Sequence, residues 1–455
     1  MQKIIIKNFG PVQEAEIRIM PLLVLIGEQA SGKSTIAKLI YYFKSLSEYF
    51  FTSYYNSASS RINLDEDVVF PFRERFYDMF GSTFHLPDFK IQYWYDEQKH
   101  IDLSLTEKKR LLVVLSKGFF TFADRKELRG VKDSLLIVKN EIDVCESPVQ
   151  RVALDQKQLS YLHQMSDKIN SIFCTQHNDS LYVLAGRNAT VGYIDFFENM
   201  LTAKLQRSIE DQGKRAFETK EQTIDETLML QFMQRVSKMR QMLNKLGNFE
   251  GIIHTTPKGV KRDALRKAHS LINKVIRGQY SSSTDSERIV LPDGRYVYLK
   301  NASSGQQESI RILQDAFLSI YSENNVLRII EEPEAHLFPE AQLYMIQMLV
   351  MLFNSNSNNQ IVVTTHSPYI LSVFNNLIYA HAVGRLHKDQ VSKMLCADCW
   401  LNPEMLSSYM LTNGKAEAII DEDLKQIEAE KIDSVSGILN QQYDKLMELD
   451  INGDE

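Results

Sequence analysis

The sequence predicts an α/β fold built around a phosphate-binding strand, loop and helix. Three observations carry that expectation. Gly27-Glu28-Gln29-Ala30-Ser31-Gly32-Lys33-Ser34 matches the pattern G-x-x-x-x-G-K-[ST] in full. An apolar run, Leu22 to Ile26, feeds this loop, and Ser34 to Phe43 leaves it at helical spacing. A second apolar run, Val326 to Ile330, broken only by Arg328, ends in the adjacent carboxylates Glu331 and Glu332.

The chain has 455 residues, 44% of them hydrophobic, enough for a large core. Its net charge of -6 excludes a global basic field, so any nucleic-acid contact has to come from a local patch. Four cysteines, Cys145, Cys174, Cys396 and Cys399, are too few for a disulfide scaffold and fit a reducing cytoplasm. Met1 to Gly10 lacks the apolar core of a signal peptide. No segment approaches the ~20 apolar residues that span a bilayer. The expectation is a soluble, cytoplasmic protein with no membrane partner.

Along the chain, Lys3 to Asn8 and Glu14 to Ile19 read as strands joined by a turn at Gly10-Pro11. Tyr41 to Phe84 holds 14 Phe and Tyr residues and reads as packed helices rather than an aromatic base-binding platform. Phe89 to Tyr95 and His100 to Leu105 read as a hairpin, and Leu181 to Ala185 as a short strand. Asp195 to Leu246 reads as mostly helical. Within it, Leu228, Met229, Phe232, Met233, Val236, Met239, Met242, Leu243 and Leu246 form an apolar stripe, read as core or a helix seam.

Lys258 to Arg277 carries seven cations against the single acid Asp263 and reads as a solvated helix face, with phosphate contact as the alternative. The tail from Glu417 has twelve acids against three lysines and reads as a solvated helix or docking segment. The expected organisation is a discontinuous nucleotide-binding core at 1–44 and 290–385, with strands from about 89–105 and 181–187. A mostly helical insertion covers 45–290, and a helical, acidic segment covers 386–455.

Four segments carry the chemistry. In the first, Gly27 and Gly32 let the loop curl so that its N–H groups face phosphate oxygens. Lys33 sets a charge on the β- and γ-phosphates, and the Ser34 hydroxyl is a hard ligand for Mg²⁺. The candidate nucleotide-binding set is Gly27, Glu28, Gln29, Ala30, Ser31, Gly32, Lys33, Ser34 and Thr35. In the second, two side-by-side carboxylates at a buried strand end repel each other without a cation. Glu331 is expected on the Mg²⁺ side and Glu332 as the base that activates water. In the third, Ile361 to Thr365 is a β-branched strand followed by His366, with Ser367-Pro368 opening a helix. His366 is expected to donate to a γ-phosphate oxygen. In the fourth, Ser304-Gly305-Gln306 precedes a helix expected from about Ser309 to Tyr321, with its positive dipole end suited to phosphate.

In this order the four segments resemble the ABC-type ATPase superfamily, which includes SMC-like and transporter heads. They are most similar to the OLD-like branch found in prokaryotic defence proteins, on Glu331-Glu332-Pro333-Glu334-Ala335-His336-Leu337-Phe338-Pro339, on Ile4 to Pro11 and on Leu181 to Arg187. The resemblance implies an ABC/SMC-like head: a mixed core sheet plus an N-terminal antiparallel sheet and a large helical insertion. It implies ATP and Mg²⁺ as cofactors. Ser304, Gly305 and Gln306 would act as a signature loop on the nucleotide of a second copy, giving a head-to-tail dimer.

There are departures from the family pattern. Ala30 stands where many relatives have Gly, Arg328 interrupts the strand before the carboxylates, and the signature lacks a second Gly. The Q-loop glutamine is not placed, Gln92 being its candidate. Full-length OLD nucleases append a Toprim domain. The residues after His366 show no such Asp-x-Asp motif, so no nuclease activity is expected from this chain alone. Toprim-less relatives include the ATPase subunits of Septu-type and PARIS-type systems, a resemblance that implies a separate effector such as a nuclease.

Cys396-Ala397-Asp398-Cys399 is a lone C-x-x-C without the four ligands of a zinc site and reads as reduced, buried thiols. The competing readings are a DNA-repair or SMC-like ATPase with ATP-dependent DNA binding, and a transporter nucleotide-binding subunit. The Glu-Glu-Pro-Glu-Ala-His run and the size of the insertion speak against the transporter.

Overall fold

The computed structural model describes residues 2–145, 147–177, 179–192, 224–283, 286–428 and 441–445. Eleven strands form one sheet in the order β6-β5-β4-β1-β2-β14-β13-β3-β12-β11-β7. The first half is antiparallel: β1 (Lys3–Phe9), β2 (Val12–Arg18), β4 (Lys90–Trp94), β5 (His100–Leu105) and β6 (Leu111–Leu115). The second half is parallel: β3 (Leu22–Gly27), β7 (Asp179–Val183), β11 (Val326–Glu331), β12 (Gln360–Thr365) and β13 (Leu406–Thr412). The hairpin of β13 and β14 (Lys415–Ala418) joins the halves, because β14 runs antiparallel to β13 and parallel to β2. The chain thus has the expected α/β fold, with a mixed core, an antiparallel N-terminal part and many helices.

β3 and β11 are buried at every position, as parallel strands covered on both faces require. On one face lie α1 (Lys33–Asn56), α2 (Phe70–Phe80) and part of the helix pair α3 (Phe122–Asp143) and α4 (Pro148–Ile172). After the short α5 (Ala189–Gly192), the other face is covered by six helices. These are α6 (Ile224–Leu246), α7 (Asn248–Thr255), α8 (Val260–Ile276), α9 (Ser304–Ser322), α10 (Pro339–Asn354) and α11 (Pro368–Gly384). A small three-stranded sheet, β8 (Gln279–Ser282), β9 (Glu287–Val290) and β10 (Tyr296–Tyr298), precedes α9.

α1 extends to Asn56, well past Phe43, because no breaker interrupts it. Tyr41, Tyr42, Phe43, Phe50 and Tyr54 point into the core, so the aromatic stretch is packing. The Met-rich stripe is core too, with Phe232, Met233, Val236 and Met239 buried. Residues 195–223 of the expected helical stretch lie outside the described residues.

The segment after 386 departs from expectation. It was expected to be helical and acidic, yet after a short helix, α12 (Lys388–Met394), it supplies β13 to the middle of the sheet. The apolar pattern of β13 is broken by Ser407 and Ser408, both buried. Ser407 Oγ donates to the Arg18 carbonyl at 3.0 Å, which satisfies its hydroxyl inside the core. β6, which carried no expectation, closes the far edge by pairing with β5.

Arg328, the anomaly in β11, is 1% exposed. Its Nε donates to Asp315 at 2.6 Å and its Nη2 to the Ser319 hydroxyl, both on α9. Arg235 of α6 meets Asp315 from the other side at 2.9 Å and Asp179 of β7 at 2.7 Å. A buried cation in an apolar strand is therefore paired and ties β11 to α9.

Candidate functional site

The parallel strands set the site. β12 lies between β3 and β11, with Thr365 opposite Ile26 and Thr364 opposite Glu331. Two strand spacings put the root of the glycine loop and the carboxylate pair about 10 Å apart at the same sheet edge. The loop is tightly packed from below. A Cβ on Gly27 would lie 2.3 Å from the Leu411 carbonyl oxygen of β13, and one on Gly32 2.7 Å from Val12. Gly32 also takes φ +104° as it opens α1, a conformation glycine supplies without strain. Ala30 has φ +60°, a left-handed conformation that favours glycine.

Lys33 is buried, and its Nζ donates to the Gly27 and Glu28 carbonyls at 2.7 and 2.6 Å. Burial lowers its pKa, while the charges of Glu332, Glu334, Glu28 and Glu331 oppose the shift. The acids after β11 therefore share one electrostatic neighbourhood with the loop lysine. Ser34 is exposed and Thr35 half-buried on the first turn of α1; Glu28, Gln29 and Ala30 form the exposed crest, and Ser31 is buried.

The three acids of Glu331-Glu332-Pro333-Glu334 have different surroundings. Glu331 is buried, and its two oxygens accept from Tyr182 Oη at 2.7 Å and the Ala185 N–H at 3.2 Å. Glu332 has φ +44°, a strained position for a side chain with a Cβ. Its N–H donates to the Thr364 carbonyl at 2.8 Å, and its carboxylate, 30% exposed, lies 3.5 Å from His366 Nδ1. Glu334 accepts from the Thr365 hydroxyl at 2.5 Å and the His366 N–H at 3.1 Å. Its other oxygen is buried without a partner, and burial raises its pKa. Sequence reasoning gave Glu334 no role, although its place in the run of acids was the signal.

Arg187 was also given no role. It is fully buried and donates to the carbonyls of Leu184, Glu308, Glu331 and Glu332 at 2.9 to 3.2 Å. It thereby fixes the backbone of both acids against α9. Glu308 of α9 is buried beside it, 3.8 Å from its Nη2, and His336 approaches Glu308 at 3.4 Å.

α9 begins at Ser304, five residues before the expected Ser309. Ser303 and Gln306 form a reciprocal capping box, which is why the helix starts there. Gln306 Nε2 also donates to the Ile276 carbonyl at 2.7 Å, so its amide is held within the chain. Gly305 packs under the turn after the acids, where a Cβ would meet the His336 carbonyl oxygen at 2.5 Å. Ser304 is the exposed residue of the three.

Gln92 sits in mid-β4, bonded to Asp102 of β5 at 2.9 Å and five strands away from β3, so it is not part of this site. Five of the seven cations of 258–277 are engaged: Lys261 with Glu323, Arg266 with Asp263, Lys267 with Asp398, Arg277 with Glu340, and Lys274 over Tyr344. Among the described residues no helix is long and apolar enough to cross a membrane.

A complete glycine-lysine loop at the head of a parallel sheet, faced by acids two strands away, defines a P-loop ATPase. The sequence matches the AAA ATPase domain family over residues 1–371, and the chain belongs to that family. No curated protein matches it. Among solved structures it is similar to an Smc head bound to the C-terminal winged-helix domain of ScpA, at 10% identity and TM-score 0.38, covering 92% of this chain and 96% of that one. It is also similar to the Pyrococcus furiosus Smc head with an extended coiled coil, at 12% identity and TM-score 0.35, covering 97% and 100%. A bacterial ABC transporter cassette dimer follows at 9% identity and TM-score 0.28, covering 92% and 97%.

Proposed function

We propose that the chain is an ABC-type ATPase of the OLD-like, Toprim-less branch, a cytoplasmic conformational switch for a separate effector such as a nuclease in anti-phage defence. The observation that carries the ATPase chemistry is the convergence of Lys33, Glu331, Glu332, Glu334 and His366 at one sheet edge. In this reading the loop 27–35 cradles the triphosphate and Lys33 meets its β- and γ-oxygens. Glu332, whose carboxylate is partly exposed, acts as the base for water, and His366 lies beside it to meet the γ-phosphate.

The site fits Mg²⁺. It offers hard oxygens, an exposed hydroxyl on Ser34 and a buried Glu334 oxygen without a partner. Ser34 and Glu331 would hold the ion, Glu331 through its water shell, since Tyr182 and Ala185 already meet both of its oxygens. The ion would supply charge neutralisation at the phosphates.

The proposed core is 1–44 with 290–385, enlarged by β13 and β14, whose pairing with β3 and β2 supports their inclusion. Ser304, exposed at the N-terminus of α9, would meet the nucleotide of a second copy in a head-to-tail dimer. Light scattering tests this. Glu332→Gln with ATP is expected to run as a dimer, and adding Ser304→Arg to it is expected to restore the monomer while leaving ATP bound. A Glu332→Gln protein that stays monomeric at saturating ATP contradicts the dimer.

A further inference from the structure

Cys396-Ala397-Asp398-Cys399 lies apart from the nucleotide chemistry, between α12 and β13. Ala397–Cys399 is a single 3₁₀ turn, and the Cys399 N–H donates to the Cys396 carbonyl at 2.9 Å. The turn sets the two cysteines at positions i and i+3, where the side chains of a 3₁₀ turn eclipse and lie on one side. Both are free thiols, and their surroundings differ. Cys399 is fully buried in the core, whereas Cys396 is half-buried.

Cys396 Sγ also lies 3.7 Å from Asp398 Oδ2, and Lys267 of α8 holds that same oxygen at 2.7 Å, so the acid beside the sulfur carries its own counterion. The hydrogen bond from Cys399 is the largest cause that brings the Cys396 thiol down to about 7, and burial opposes it. The same bond and burial push Cys399 up.

The turn is anchored on both sides. Asn354 of α10 donates to the Asp398 and Trp400 carbonyls at 2.9 and 2.8 Å, and the Leu401 N–H donates to Leu377 of α11 at 3.1 Å. A zinc site takes four ligands. Among the described residues no group of three or more His, Cys, Asp or Glu is arranged to hold a metal ion. Disulfide chemistry needs the two sulfurs alone.

We propose that Cys396 and Cys399 form a redox-active dithiol that exchanges with small-molecule disulfides, with Cys396 attacking and Cys399 resolving. The Cys396 thiolate attacks one sulfur of the small disulfide. That S–S bond breaks, and one small thiolate leaves and takes up a proton. Cys399 then gives its proton to solvent, and its sulfur attacks Cys396 Sγ in the mixed disulfide. The second small thiolate leaves and is protonated. Two protein thiols are oxidised to one disulfide, and the small disulfide is reduced to two thiols. The ordering follows the structure, since Cys396 is the more exposed residue of the two and Cys399 is fully buried.

The test uses the full chain and oxidised glutathione, with thiols trapped in acid and peptides mapped by mass. The wild type is expected to lose two hydrogens on the 396–399 peptide, reversibly with dithiothreitol. Cys399→Ser is expected to accumulate glutathione on Cys396, and Cys396→Ser to add it to Cys399 at least about tenfold more slowly. A pulse of iodoacetamide on the wild type needs no variant. Cys396 is expected to react at least about tenfold faster than Cys174, whose thiol burial pushes up to about 11. Cys396 and Cys399 both staying reduced in excess oxidised glutathione overturns the proposal. So does equal reactivity of the two cysteines, or a bridge between two chains in place of the internal one.

Discussion

At Arg187 one side chain sets the geometry of two carboxylates without touching either of them. Its guanidinium binds the carbonyls of Glu331 and Glu332, and Glu332 is the residue held at positive φ. Strain of that kind persists only where the surroundings enforce it. Arg187→Met leaves the buried Glu308 without its arginine and is expected to cost about 3–5 kcal/mol of stability, measured by urea denaturation. Arg187→Lys keeps the charge but not the fork of donors. Its expected result is near-normal ATP affinity with hydrolysis lowered at least about tenfold, read as a kcat loss at constant KM. A purely structural arginine would move both constants or neither.

Gly27 to Ser34 and Glu331-Glu332 were legible in the sequence because each is one contiguous stretch beside an apolar run. Arg187 and Glu334 were not, because their partners lie far off in the chain, at 308, 331, 332 and 365.

Elements meet at the joint between α9 and the turn after β11. Gly305 is the contact point, and the His336 carbonyl leaves no room for a methyl group there. Gly305→Ala is expected to push the two apart, at a cost of about 1–3 kcal/mol, visible as a lower thermal midpoint. An unchanged midpoint contradicts this packing. The same joint explains why α9 starts earlier than the sequence suggested. The capping box is set by Ser303 and Gln306, and the apolar periodicity used to place the helix begins only beyond it. Likewise, β13 hides behind two serines. Its membership of the sheet depends on pairing with β3 and on the Arg18 carbonyl, about 390 residues earlier in the chain, which no local pattern shows. The paired Arg328, by contrast, shows an apparent violation resolved by a neighbour. Asp315→Ala strips both Arg328 and Arg235 of their shared acid, and its expected cost is also about 3–5 kcal/mol.

For the molecule as a whole, buried ionisable groups couple folding to pH. His177 is fully buried, and burial lowers its pKa to about 3 from the ordinary 6.5. Between those values the unfolded chain binds a proton that the native state does not, so stability falls as pH drops from 6.5 toward 3. Burial brings Lys44 down to about 7, so stability rises with pH from 7 toward 10.5. Glu48 is raised to about 8, mainly by burial, which works the other way between 4.5 and 8. His177 and Glu48 offset each other between pH 4.5 and 6.5, so urea midpoints are expected to drop below pH 4.5, with a shallower drop in His177→Gln. An identical slope in that variant contradicts the assignment to His177.

If the lysine loop and the acids beyond β11 act on one bound triphosphate, paired nucleotide-binding and phosphate-release assays on Glu332→Gln and Lys33→Ala separate binding from hydrolysis. Glu332→Gln is expected to bind ATP as the wild type does while releasing phosphate at least about a hundredfold more slowly, and Lys33→Ala is expected to lose binding. Wild-type phosphate release by Glu332→Gln would contradict the account.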